Sequence, residues 1–316
     1  MLELTAEPIG PTGDPAELGE GPLWLGGERV SWVDILGGRV FDGRLTGAAD
    51  APGARSPAAG ASSALTVAQL HDVGRHVGAA VPVAGGDGWL LAAAQGFAHL
   101  RADGTVAELA QPARDERTPG GSAVRMNDAK CDPAGRLWAG TMAYDTTPGA
   151  GTLWCVDLDG SIRAVRRGLT IANGLGWSPD GRTIFFVDSE PGVVWSAPFD
   201  VDAGALGAAR ALIETFPPGG VPDGLCVDDD GTLWIAYWGA GVVQRHASDD
   251  GRVLARVRVA ARQPSSCCIA DGTLLTTSAW EGLEQPGEAD GRLFACAVDA
   301  TAPPATRFAG ALPAAA

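Results

Sequence analysis

In 316 residues the chain holds one lysine, Lys130, and two asparagines, Asn127 and Asn173. Average usage would give on the order of a dozen asparagines. Arginine supplies nearly all the positive charge, so the shortage reads as a GC-rich coding bias. The survivors of a depleted residue type are then candidates for side chains that matter. Positive charge is itself scarce: 23 Lys and Arg stand against 38 Asp and Glu, a net charge of −15. Such a surface repels phosphate backbones and anionic lipid, which excludes nucleic-acid and membrane-surface roles. It accords with solubility and with binding a hard cation.

Other absences narrow the classes further. No apolar run reaches the roughly 18 residues a membrane-spanning helix needs. The opening "MLELTAEPIG" has neither the basic nor the apolar segment of an export signal, so a cytoplasmic location is expected. Cysteines 131, 155, 226, 267, 268 and 296 form no C-x-x-C pair, a poor layout for zinc or a disulfide framework. They are expected to be reduced, mostly buried thiols. "GWSPD" lacks the final glycine of a nucleophile elbow, and no G-x-G-x-x-G occurs. "DDDG" fails as an EF-hand because Cys226 and Tyr237 fall at its first and twelfth positions.

What is present is a repeat. A turn ending in glycine, followed by an apolar strand, occurs around Gly27, Gly88, Gly135, Gly181, Gly231 and Gly272, at intervals of 61, 47, 46, 50 and 41 residues. Each unit carries about four apolar runs of strand length between Gly, Pro and Asp, and helical periodicity is nowhere sustained. That pattern predicts an all-β, six-bladed β-propeller spanning 1–316 as a single domain. The long first interval contains the low-complexity segment 47–64, expected to be a solvated flexible loop.

Counting eight residues back from the turn glycine gives Asn127, Asn173 and Asp223; seven back from Gly27, where the turn is one residue shorter, gives Glu20. Singly, each is explained as a turn former. Four at one register position, on the innermost strands that line a propeller's channel, place two carboxylates and two amides toward a common point. An oxygen-only set of this kind suits a hard divalent cation and leaves positions for water and substrate.

"LGEGPLW", "RMNDAKCDPAGRLWAGTM", "NGLGWSPDGRTIFFVDS", "PDGLCVDDDGTLWIAYWGAG" and "PSSCC" occur in that order over about residues 17–296. Together they resemble the ordered motifs of the gluconolactonase, or senescence marker protein 30, family, which includes regucalcin and luciferin-regenerating enzyme. The resemblance implies a six-bladed propeller with one divalent metal in its channel, and in many members hydrolysis of sugar lactones. It makes Glu20, Asn173 and Asp223 the metal ligands, with Ca²⁺ first among Mg²⁺, Mn²⁺, Zn²⁺ and Fe²⁺. It makes Arg125 and Asn127 substrate contacts, and puts Asp145, with Tyr144 beside it, where the family often has Glu. Asp223 is expected both to bind the metal and to act as the base for the attacking water.

The expected partner is a small lactone, and the expected assembly a monomer or weak homodimer. Two alternatives share these residues: a non-catalytic calcium-binding propeller, and the same scaffold with diverged chemistry such as organophosphate hydrolysis or a biosynthetic step. Lys130 is expected in a structural ion pair pointing away from the axis. His71 and His76 are read as structural or loop residues, with pocket lining the alternative. The tryptophans are read as inter-blade core, Trp238 and Trp280 being the candidates for pocket walls.

Overall fold

The computed structural model describes residues 1–10, 15–47, 63–86 and 88–315. Most of the expected loop, residues 48–62, lies outside them. Among the described residues there is no helix, and the strands form six sheets.

The sheets follow chain order as blades 1 to 6. Their innermost strands are Gly19–Gly26, Val77–Pro82, Val124–Cys131, Ala172–Trp177, Val221–Val227 and Gln263–Ala270. Successive strands within each blade pair antiparallel, and the six turn glycines join the first strand of each blade to its second. All six have positive φ, from 57° at Gly27 to 91° at Gly135, which is why glycine recurs there.

Two segments close the ring. Glu7–Ile9 supplies the outermost strand of blade 6, antiparallel to Leu293–Ala297, while Leu2–Thr5 adds a parallel strand to blade 5. At the other end of the chain, residues 301–311 run along the turns of blades 5, 1, 2 and 3. Thr301 bonds Asp229, and the amides of Ala305, Phe308, Ala309 and Ala311 donate to Trp24, Pro82, Gly135 and Leu158. Phe308 is fully buried on this path.

The apolar core lies mainly between blades. Trp138, Trp177 and Phe199 pack edge-on between blades 3 and 4, and Trp234 lies in the cluster shared by blades 5 and 6. The indole nitrogens of Trp138 and Trp234 donate to the turn aspartates Asp132 and Asp228. Burying a ring of this size stabilises by several kcal/mol, so the blades hold each other rigidly. All six cysteines are buried thiols.

Every inner strand has a register shift: after Glu20, at Asn127, after Asn173 and at Asp223, the four positions counted from the sequence, and also at Gly78 and Ser265. A bulge turns a side chain out of the ladder; five of these six positions carry a polar side chain, and the sixth is Gly78. Neighbouring inner strands touch at this level. A Cβ on Gly78 would collide with the backbone of Asn127, one on Gly174 with the carbonyl of Asp223, and one on Gly224 with Ser266. Gly78→Ala is therefore expected to destabilise the protein by about 1–3 kcal/mol by displacing the Asn127 backbone. Urea unfolding of the variant and the parent checks this.

Candidate metal and substrate site

Glu20, Asn127, Asn173 and Asp223 are all buried, at 5–7% exposure, near the starts of their inner strands. The Asn173 amide nitrogen donates to Ser189 Oγ at 3.1 Å and to Asp223 Oδ1. Its oxygen, Oδ1, is buried with no donor. Glu20 Oε2 accepts from the Gly21 amide at 2.8 Å.

Arg125 and Asn127 form the next layer. Arg125 Nη1 donates to Asn127 Oδ1 at 2.8 Å and to the Met126 carbonyl at 3.0 Å, while Asn127 Nδ2 donates to the Ala172 carbonyl at 3.1 Å. The last bond ties blade 3 to the residue before Asn173. Arg125 is itself buried; desolvation works against its charge, and Glu281, Tyr144, Glu20 and Asp223 favour it.

The electrostatics follow from burying several carboxylates together. Burial, reinforced by the charge of Asp128, pushes Glu20 up to about 8. Burial, then Glu20 and Asp128, pushes Asp223 well above the ordinary carboxylate range. Asp128 is raised by burial and partly relieved by Lys130. Acidic groups that repel one another, beside an amide oxygen without a donor, fit a hard cation: the ion relieves the repulsion and fills the acceptor. Among the described residues no three His, Cys, Asp or Glu side chains group closely enough to hold a metal unaided. The candidate donors are two carboxylates, of Glu20 and Asp223, and the Asn173 amide oxygen.

The structure corrects the expectation for Lys130. Its amine passes blade 4 and donates to the Leu225 carbonyl of blade 5 at 2.8 Å, where its charge acts on Asp128, Glu20, Cys267 and Cys268. Strict alternation from Asn127 pointed it away, but the bulge between Met126 and Ala129 breaks that alternation. Asp145 is not brought to the ring. It is exposed in the turn after Leu137–Ala143, its carboxylate accepting from Thr118 Oγ1 at 3.1 Å and from Thr147 Oγ1 at 2.8 Å. The neighbour that faces Arg125 is Tyr144, whose hydroxyl shares a 2.9 Å hydrogen bond with His76 Nδ1. His71 is a buried residue of an outer strand. Trp280 donates to the Pro15 carbonyl at 3.4 Å, and Trp238 packs against the cluster holding Leu18 and Ala279.

The count from the turn glycines missed three features. Asp128 hid in an "ND" dipeptide whose second member a regular strand would turn away. Gly78 and Ser265 occupy the remaining two ring positions, ten and seven residues before Gly88 and Gly272, where a count of eight does not reach them.

Residues 18–280 match the SMP-30/Gluconolactonase/LRE-like region. The chain belongs to that family. It is 34% identical to the pentonolactonase XacC of Haloferax volcanii, over 92% of this chain and 94% of that protein. It is 30% identical to the regucalcin of Danio rerio, over 85% of each. Among solved structures it is similar to a calcium-binding protein, regucalcin, of Agrobacterium tumefaciens, with a TM-score of 0.81 at 25% identity, covering 98% of this chain and 99% of that one. A luciferin-regenerating enzyme shares the fold, with a TM-score of 0.79 at 22% identity over 96% and 99% of the two chains.

The raised Glu20 gives a signed expectation. Native chelator-treated protein holds a proton on Glu20 that the unfolded chain has released, so its stability falls as pH rises from about 4.5 to about 8. Glu20→Gln is expected to remove the Glu20 share of that fall, on the order of a few kcal/mol, and to leave the shares of Asp128 and Asp223. Thermal unfolding of the chelator-treated proteins across pH measures it.

Proposed function

We propose that the protein is a divalent-metal-dependent hydrolase that opens a sugar lactone. The observation that carries this is the ring of Glu20, Asn173 and Asp223, with a donorless buried amide oxygen, set beside the Arg125–Asn127 pair. The similarity to a pentonolactonase over nearly the whole of both chains makes five-carbon aldonolactones the first substrates to try.

Glu20, Asn173 and Asp223 would hold the ion, Ca²⁺ by the hardness of its oxygen donors; when bound it polarises the lactone carbonyl and stabilises the negative charge that develops on that oxygen. Arg125 receives the substrate's polar groups, and Asn127 fixes the guanidinium by its 2.8 Å bond. Asp223 takes the proton of the attacking water as the new C–O bond forms. It returns that proton to the ring oxygen as the lactone C–O bond breaks, giving the hydroxy acid. Burial and the carboxylates of Glu20 and Asp128 raise the proton affinity of Asp223. That opposes the lowering a bound cation brings and keeps a ligand carboxylate usable as a base.

Aldonolactone hydrolysis followed before and after chelation, with single metals restored, tests the reading. Turnover is expected to vanish with chelator and return with Ca²⁺. A metal-replete protein that opens no lactone would overturn the reading in favour of a non-catalytic calcium-binding propeller or the same scaffold with diverged chemistry.

The role of Asp223 separates from mere ligation. Asp223→Asn keeps an oxygen donor but cannot accept the water proton, so turnover at saturating metal is expected to fall about 10²–10⁴-fold at every pH. Near-native turnover of that variant would remove Asp223 as the base.

A further inference from the structure

At the end of the channel where the carboxylates meet, two side chains stand outside the hydrophobic clusters. Tyr144, the first residue after the strand Leu137–Ala143, is 45% exposed, yet it is held in place from the neighbouring blade. Its hydroxyl shares the 2.9 Å hydrogen bond with His76 Nδ1, and the two rings lie 5.7 Å apart at 57°. Beneath it the guanidinium carbon of Arg125 lies 6.0 Å from the ring centroid. Tyr144, Arg125 and Asn127 thus form a continuous column from solvent to the ring. Fixing a half-exposed tyrosine costs side-chain entropy that core packing does not repay here. A flat face held over a buried cation is the form a substrate wall takes.

The surroundings bear on what the wall accepts. Burial and Arg125 both disfavour protonation of His76, and burial disfavours ionisation of Tyr144, so the pair carries no charge near neutral pH. The carboxylates that act on Arg125 are Glu281, Glu20 and Asp223, and those that act on His76 are Glu17 and Asp34. An anionic substituent arriving here meets carboxylates and finds Arg125 already shared.

We propose that Tyr144 and His76 form the outer wall of the substrate pocket and select an uncharged, hydroxylated lactone, its C–H face on the Tyr144 ring and a hydroxyl in reach of His76, against lactones bearing phosphate or carboxylate. This inference rests on the lactone-opening reading above.

Steady-state kinetics on a neutral aldonolactone, a phosphorylated aldonolactone and unsubstituted γ-butyrolactone test it. Tyr144→Ala and His76→Ala are each expected to raise KM for the neutral aldonolactone about 10-fold, the value of one hydrogen bond or stacking contact, with kcat within about 2-fold. Tyr144→Phe, which keeps the face, recovers most of that loss. For γ-butyrolactone, which has no hydroxyl to reach His76, kcat/KM of the His76→Ala variant stays within about 2-fold of the parent. The parent itself uses the phosphorylated lactone at least about 10-fold less well than the neutral one. Variants with parental KM on an active enzyme, a larger effect from Asp145→Asn than from Tyr144→Ala, or a preference for the phosphorylated lactone would each overturn the wall and leave lactone opening intact. A calcium-loaded parent that opens none of the three removes the reading beneath and the wall with it.

Discussion

Three carboxylates, Glu20, Asp128 and Asp223, are buried together where six strands meet, and most features of this end of the molecule answer that fact. Acidic side chains taken out of water repel each other and favour their neutral forms, as the upward shift of all three shows. Two fixed cations stand against them. Arg125 lies on the outer side, tied to Asn127, and Lys130 on the inner side, tied to the Leu225 carbonyl. With all three ionised, as a bound cation would favour, one negative charge is left in excess beside an amide oxygen without a donor, the attraction a divalent ion would meet.

The propeller makes such a cluster tolerable because its stability comes from elsewhere. Rings such as Trp138, Phe186 and Trp234 are buried between blades, and the N-terminal strands fasten blades 5 and 6. The inner strands are then free to carry bulges and polar side chains. Their separation is fixed by glycines at 78, 174 and 224, where any side chain would meet the next strand. A donor set held by three separate blades is preorganised, so binding an ion would need little rearrangement.

The fold and four of the six ring positions were legible because they depend on counting. A turn glycine with positive φ recurs in every blade, and where the distance from bulge to turn is constant, as in blades 3, 4 and 5, the offset of eight finds Asn127, Asn173 and Asp223. The rarity of Asn and Lys marked Asn127, Asn173 and Lys130 independently. What escaped depends on geometry that the period does not encode. The bulge in blade 3 cancels the parity on which the expected direction of Lys130 rested, and it brings Asp128 in with Asn127. The contact between Tyr144 and His76 joins residues 68 apart in sequence across two blades, and no local pattern announces it. Asp145 was placed by resemblance alone, and the turn chemistry of Thr147 and Thr118 holds its carboxylate elsewhere.

The central claim is that bulges in three of the six inner strands gather one set of oxygen donors for one cation. A crystal structure of the protein loaded with Ca²⁺, with anomalous scattering to locate the ion, tests this most directly. The account predicts a single ion per chain in the channel, bound by Glu20, Asn173 Oδ1 and Asp223, with water completing its coordination. An ion held by other residues, or a calcium-saturated channel with no ion between those three side chains, would contradict it.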